Sequence, residues 1–328
     1  MRRPRFAFGA LVTMMAATLI GCSTPGAPSP DGQDLRIRAN TGAIESAPLL
    51  YAARDFYPGG LPVEKGAIPN LVGAENIAGV FDAGPADVAT HAETQALRYS
   101  IEHPEIRIIL TLTEGHYRIV ARRSAGIKTL SDLKGKRIAT IPTTSAGYFV
   151  HRMLQKEDLG FSDIEAVRVP IDEMANALAT RQVDAVAIWD PYGERAAQAV
   201  GDDLISFTDP EVYSEMFNLN TTTAQLQDPA KRQQIVTLVR AIIDASSALQ
   251  TNPEAAQRLA AERTGFALED VTGSWSHLSF PAAIPDKLLD IMVAEEVWLA
   301  EQEGRSPRSR EAIKDLIDSS IYEEALAR

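Results

Sequence analysis

Four short clusters carry the side chains suited to holding a small polar molecule. Thr143-Thr144-Ser145 sets three hydroxyls just before a stretch of helical spacing. Hydroxyls, the free N–H groups of a helix start and its partial positive charge suit an oxyanion such as a sulfonate, nitrate or carboxylate, without a lysine. The same residues are ordinary helix caps, although capping alone does not require three hydroxyls. Thr90-His91 follows a short apolar segment, where a histidine either contacts a solute or serves as a cap. Trp189-Asp190-Pro191-Tyr192 offers an indole that can stack on an organic ligand while its N–H donates. Asp190 also reads as the cap of a helix with Pro191 in its first position. Glu45 and Ser46 end the segment 42–46, which either faces a cleft or lies as a solvated loop. No arginine or lysine falls in these four clusters, whereas Glu45 and Asp190 do. A bare inorganic ion would rely on hydroxyls and helix dipoles beside two carboxylates. An organic molecule with one acidic or polar end, and its body against Trp189 or Tyr192, fits better.

The elements that would position these clusters alternate. Leu35–Ala39 and Asp87–Thr90 read as strands, with Gly79–Phe81 a further short candidate. The near-continuous apolar run Ile106–Leu112 suits a strand buried on both faces. Helical spacing covers Pro48–Phe56 and a segment from about Ala92 to Ile101. Thr129 followed by Asp132 is a cap opening a short turn. Strand Arg137–Ile141 leads to a helix over 146–159, apolar at Ala146, Phe149, Val150, Met153 and Leu154 and closed by Gly160. Strand Ala166–Val169, helix Asp172–Gln182, strand Asp184–Trp189 and helix Pro191–Val200 follow. This alternation predicts an α/β fold with parallel sheet and right-handed crossovers. After Phe217 it stops, and helices begin at Asp228-Pro229, Asn252-Pro253, Pro285 and Ser309.

Several chemistries lack their residues. The five histidines show no i, i+4 pair and no metalloprotease pattern, so no metal is expected. There is no Gly-x-Ser-x-Gly elbow and no phosphate-cradling glycine loop, and no cofactor is expected. The formal charge of −12 argues against nucleic acid, whose phosphates need clustered Lys and Arg.

Arg2, Arg3 and Arg5 precede the uncharged run Phe6–Ile20, and Gly21 stands before Cys22, the single cysteine. The segment reads as a signal peptide over 1–21 and is shorter than the about 20 apolar residues of a membrane span. Leu19-Ile20-Gly21-Cys22 resembles a bacterial lipobox, which implies cleavage before Cys22 and acylation of its sulfur. Loss of the three arginines takes the charge from −12 to −15. With Cys22 lipidated, the mature fold has no disulfide and no thiol nucleophile. Residues 22–34, rich in Ser, Pro and Gly, form a flexible linker from the membrane. The roughly 295 residues beyond it exceed what one core usually serves, so two lobes are expected.

Four phrases together resemble the periplasmic solute-binding proteins of ABC importers, in the branch of the nitrate, taurine, aliphatic sulfonate and thiamine-precursor binders. They are Ser46-Ala47-Pro48-Leu49-Leu50-Tyr51-Ala52-Ala53, Ala86-Asp87-Val88-Ala89, the run from Ile127 to Ala139 and the run from Val183 to Tyr192. The resemblance implies a two-lobe, type II periplasmic-binding-protein fold with the ligand cleft between lobes. Lobe 1 would be residues 35–118 and 219–328, and lobe 2 residues 119–218, with crossings at Tyr117–Ala121 and Phe217–Asn220. It implies a monomeric, non-enzymatic lipoprotein that closes on a small organic anion or heteroaromatic solute, sulfonate-like first. Its partners would be an ABC permease and ATPase, with the lipid anchor facing periplasm or cell exterior. The expected ligand residues are Ser46, Thr90, His91, Thr143, Thr144, Ser145, Trp189, Asp190 and Tyr192. Enzymes of the same fold, pyrimidine-synthase-like or menaquinone-pathway-like, and a sensory lipoprotein are the alternatives. The pyrimidine synthases carry a cysteine-rich motif that is missing here.

Overall fold

The long apolar run of the sequence becomes Ile106–Gly115, the longest of the described strands. The computed structural model describes residues 35–74, 82 and 84–327. The signal peptide, Cys22, the linker and the candidate strand Gly79–Phe81 lie outside the described residues. In chain order the described strands are β1 (Ile37–Ala39), β2 (Val63–Lys65), β3 (Val88–Ala92), β4 (Ile106–Gly115), β5 (Ile119–Arg122) and β6 (Arg137–Ala139). They continue as β7 (Glu165–Val167), β8 (Ala185–Ala187), β9 (Leu204–Phe207), β10 (Glu215–Thr222) and β11 (Leu278–Ser279).

The strands make two sheets, ordered β11-β4-β10-β3-β1-β2 and β7-β6-β8-β5-β9. The expected parallel pairing holds for β2-β1-β3 and for β7-β6-β8. Both sheets are nevertheless mixed. β10 runs antiparallel to β3 and β4, and β5 antiparallel to β8 and β9. The reason is that β5 and β10 are the strands by which the chain enters the second sheet and re-enters the first, so they run against their neighbours.

The chain leaves the first sheet after Gly115 and enters the second at Ile119. It returns between Phe207 and Glu215, so the return precedes Phe217–Asn220. Those four residues lie inside β10, paired with both β3 and β4.

Helices cover both sheets, and Ile106, Ile108 and Met216 of the first sheet join the apolar cluster of the second. Ile37, Val88, Ile109, Leu110 and Leu112 of the first pack against Ile235, Val239 and Ile242 of helix Pro229–Thr251. Ile119, Val120, Ile138 and Val186 of the second pack against Phe149, Val150 and Met153 of helix Ser145–Gln155. That helix ends before Gly160. Asp158 takes the left-handed turn, at φ 53°, and Leu159 N returns to Leu154 O at 3.0 Å. The anticipated Thr129–Asp132 cap is present, with the Asp132 carboxylate accepting from Thr129 N at 2.9 Å. Asp228 caps helix Pro229–Thr251 by accepting from Ala230 N and Lys231 N. The segment expected as one C-terminal helix from Ser309 is two, Arg310–Lys314 and Ser320–Leu326.

Candidate functional site

The carboxyl ends of β1, β3 and β8 and the two connections between the sheets meet in one place, as helix starts and strand ends do in open α/β sheets. The residues gathered there are more acidic than the sequence clusters alone imply.

From the second sheet comes Ser145, the first residue of its helix. Its hydroxyl donates to Glu215 Oε1 at 3.1 Å and receives the Tyr117 hydroxyl at 3.0 Å. Tyr117 lies on the outgoing connection and Glu215 opens β10 after the return, so the three residues tie both crossings to the helix start. Glu215 stands opposite Gly115 in the β4–β10 register. A Cβ on Gly115 would sit 3.0 Å from Glu215 Oε2, so glycine there leaves room for the carboxylate. Burial pushes the Glu215 carboxyl up to about 7, although the Tyr117 and Ser145 hydroxyls pull it back.

From the first sheet comes Glu45, in the turn Ile44–Ser46 beyond β1. It is 1% exposed, and its main-chain oxygen is held by the Thr113 hydroxyl at 2.8 Å. Burial and then the charge of Glu215 hold its carboxyl well above the usual range, with a smaller push from Asp190. Glu93, at the start of helix Glu93–Tyr99, accepts from the Tyr213 hydroxyl at 2.5 Å and from Met216 N at 3.1 Å. Burial, then the charge of Glu215, pushes it to about 8. Glu295 reaches the same region from helix Leu288–Glu303 and is raised for the same first reason.

Asp190 is where the C-terminal segment meets the second sheet. Its carboxylate accepts from Glu194 N at 2.9 Å, but the helix begins at Tyr192, so Pro191 precedes the first helical position instead of filling it and Asp190 caps from one residue further out. The carboxylate also lies 2.6 Å from His277 Nδ1. Arg118 Nη2 sits 2.5 Å from Glu194 Oε2 and 3.4 Å from Asp190 Oδ1.

Ser145 and Glu45 both act on Glu215 and Asp190 acts on Glu45, whereas most of the other expected residues spend their polar atoms on neighbouring groups. Ser46 and Thr90 are fully buried and stitch the loop after β1 to the end of β3. Ser46 Oγ donates to Asn40 O at 2.9 Å, and Thr90 Oγ1 accepts from Asn40 N at 2.9 Å. The His91 Nδ1 accepts from Ala92 N at 3.1 Å, and burial lowers its pKa to about 4, so the ring is neutral. Thr144 donates its hydroxyl to Ile141 O at 2.8 Å, and Thr143 is exposed with its carbonyl facing Arg98 at 3.2 Å. Tyr192 packs edge-to-face on Phe266, ring centroids 5.3 Å apart. Trp189 keeps its indole Nε1 buried and unpartnered.

Glu93, Tyr117, Tyr213, Glu215, His277 and Glu295 are missing from the sequence clusters. One of them leaves a trace there. Leu288, Met292, Glu295 and Leu299 fall on one helical face, and a charge at a core position is the sort of exception that marks a polar site. Two surface depressions, of about 580 Å³ beside Arg38, Lys65 and Arg263 and about 420 Å³ beside Arg98 and Glu102, are not lined by Glu45 or Glu215. The convergence of polar groups from both halves, rather than these depressions, locates the candidate site.

Residues 60–256 match the family described as NMT1/THI5 like, which covers more than half of the chain. The chain belongs to that family. An Escherichia coli (strain K12) protein named an aliphatic sulfonates-binding protein is 30% identical over 135 residues, 40% of each chain. Stretches of Brucella abortus binding proteins are 31% identical over 74 residues, so the chain spans about a quarter of the length of those relatives. The crystal structure of the Escherichia coli periplasmic aliphatic sulphonate binding protein SsuA superposes with a TM-score of 0.68 at 18% identity, covering 88% of this chain and 92% of that one. The desulfurization enzyme DSZB superposes with a TM-score of 0.61 at 14% identity, covering 90% and 99%. The two-sheet α/β architecture is thus that of periplasmic binding proteins, and one enzyme shares it. Among the described residues no helix is long and apolar enough to cross a membrane, and no group of His, Cys, Asp and Glu is placed to hold a metal ion.

Proposed function

We propose that the chain is the solute-binding component of an ABC importer, an exported protein that captures a small organic molecule at the crossing and presents it to a permease. The observation that carries this reading is the meeting of Ser145 from one half with Glu215 from the other, at the point where both connections pass. A solute seated there touches both halves and is enclosed when they close. The lobes in this reading are 35–118 with 215–328, and 119–214. Family membership and the named relatives support transport over catalysis, and the signal-like segment ending at Cys22 supports export and lipid tethering.

Solutes that bind only the folded protein raise its melting temperature with concentration. A thermal-shift screen of sulfonates, nitrate, carboxylates, amines and heteroaromatic compounds is the direct test. The expected result is at least one stabilising solute that mass spectrometry recovers unchanged after incubation. A solute converted to product would replace the binding reading with an enzymatic one.

A further inference from the structure

At the crossing, one carboxylate oxygen each of Glu45 and Glu215 (Oε2) and both of Glu295 are buried without any hydrogen-bond partner among the described residues. Glu45 is 1% and Glu215 4% exposed, so water does not reach these groups freely. Buried polar atoms in folded proteins are nearly always paired, and a carboxylate oxygen can only be paired by a donor. Three hydroxyls near the crossing are already turned to acceptors. Tyr117 and Ser145 point along the chain ending on Glu215, and Thr144 donates to Ile141 O. Arg118 Nε is buried without a partner, but the guanidinium is flanked by Glu194 and Asp190.

We propose that the solute presents a nitrogen cation, such as a protonated amine, amidinium or guanidinium, to Glu45 Oε2 and Glu215 Oε2. This rests on the binding-protein reading above and narrows it to one ligand chemistry. A sulfonate or nitrate offers only acceptor oxygens, which cannot pair an ionised oxygen of Glu45 or Glu215. An N–H-bearing cation pairs both orphaned oxygens and opposes their charge, and charge-assisted hydrogen bonds of this kind are the strong ones. Burial is the first cause that raises both carboxyls, and a cation between them would oppose that shift.

The test uses the full chain and a charge-matched panel at millimolar concentration. Propylammonium, benzamidinium and guanidinium are set against propanesulfonate, benzoate and nitrate. Melting temperature and titration calorimetry are the readouts, with scattering as an independent measure of closure. A cation is expected to raise the melting temperature, and Glu45→Gln and Glu215→Gln are each expected to weaken it by about tenfold or more, the scale of one lost charge-assisted hydrogen bond. Both variants replace a buried carboxylate by a neutral amide of similar shape, so their unliganded melting temperatures report folding separately. An anion that binds tightly and compacts the protein, undiminished in the two variants, overturns the cation site while leaving the binding-protein reading intact. Absence of a shift from all three cations also overturns it. A stabilising solute of any charge that is chemically converted refutes the transport reading instead.

Discussion

Ser145, at the first turn of its helix, donates to Glu215 at 3.1 Å across the joint between the two sheets, with the Tyr117 hydroxyl behind it at 3.0 Å. This short chain of hydroxyls is the polar link between the helix of one half and the strand of the other. Ser145→Ala strands both the Glu215 oxygen and the Tyr117 hydroxyl. Leaving a buried polar partner unsatisfied costs about 1–3 kcal/mol, and loss of that order is expected in chemical denaturation. An unchanged midpoint would remove Ser145 from the joint.

Glu93 makes stability depend on pH. Its carboxyl ordinarily titrates near the 4.5 reference and in the fold is raised to about 8, first by burial. A raised acid holds its proton in the folded state, so its contribution is complete below about pH 4.5 and is lost as pH rises through 8. Glu215, raised to about 7, acts in the same direction, whereas His91, lowered to about 4, contributes above 6.5 and loses it as pH falls through 4. The melting temperature should therefore fall between pH 6 and 8, and Glu93→Gln should flatten that fall. A variant as steep as the parent would assign the slope to other groups.

The Asp190 carboxylate lies 2.6 Å from His277 Nδ1, and Arg195 Nε donates to Asp270 at 2.8 Å nearby. Both contacts join the second half to the C-terminal segment. His277→Ala with Arg195→Ala is expected to enlarge the ligand-free radius measured by scattering, because the halves lose the contacts that hold them together. The same radius in parent and variant would place closure elsewhere.

Acylation of Cys22 is expected to hold the protein at a membrane, since two acyl chains give stable anchoring where one gives only marginal binding. Cys22→Ser should then release the protein from the membrane fraction or block its maturation. Unchanged fractionation and unchanged mature mass would end the lipid-anchor reading.

The alternation of strands and helices as far as Val200 is legible in the sequence because apolar runs and caps mark each element. The return into the first sheet is not legible, for a physical reason. β10 buries Asn218, Asn220 and Thr221 completely, and they look like connector residues in a bare sequence. Inside the sheet their donors are paired, while Asn220 Oδ1 stays buried without a partner. Asn218 accepts from Thr111 at 2.8 Å, Asn220 donates to Ala89 O at 3.2 Å and Thr221 donates to Asp87 O at 2.7 Å. The site was partly legible. Glu45, Ser145 and Asp190 stand in the loops that strand ends dictate, and their acidic balance was already visible. Ser46, Thr90 and Thr144 have the right types but spend their hydroxyls on neighbouring main chain, which no spacing rule reveals. Glu215 and Tyr117 reach the site only because the two crossing connections run side by side, a long-range pairing without a local signature.

Small-angle scattering on the protein with and without its stabilising solute bears most directly on capture at the crossing. Ligand-bound protein should show a smaller radius of gyration than free protein, with the change saturating as binding saturates and weakened in Glu215→Gln. Tight binding with an unchanged radius at saturation, in parent and variant alike, would contradict closure around a solute at this joint.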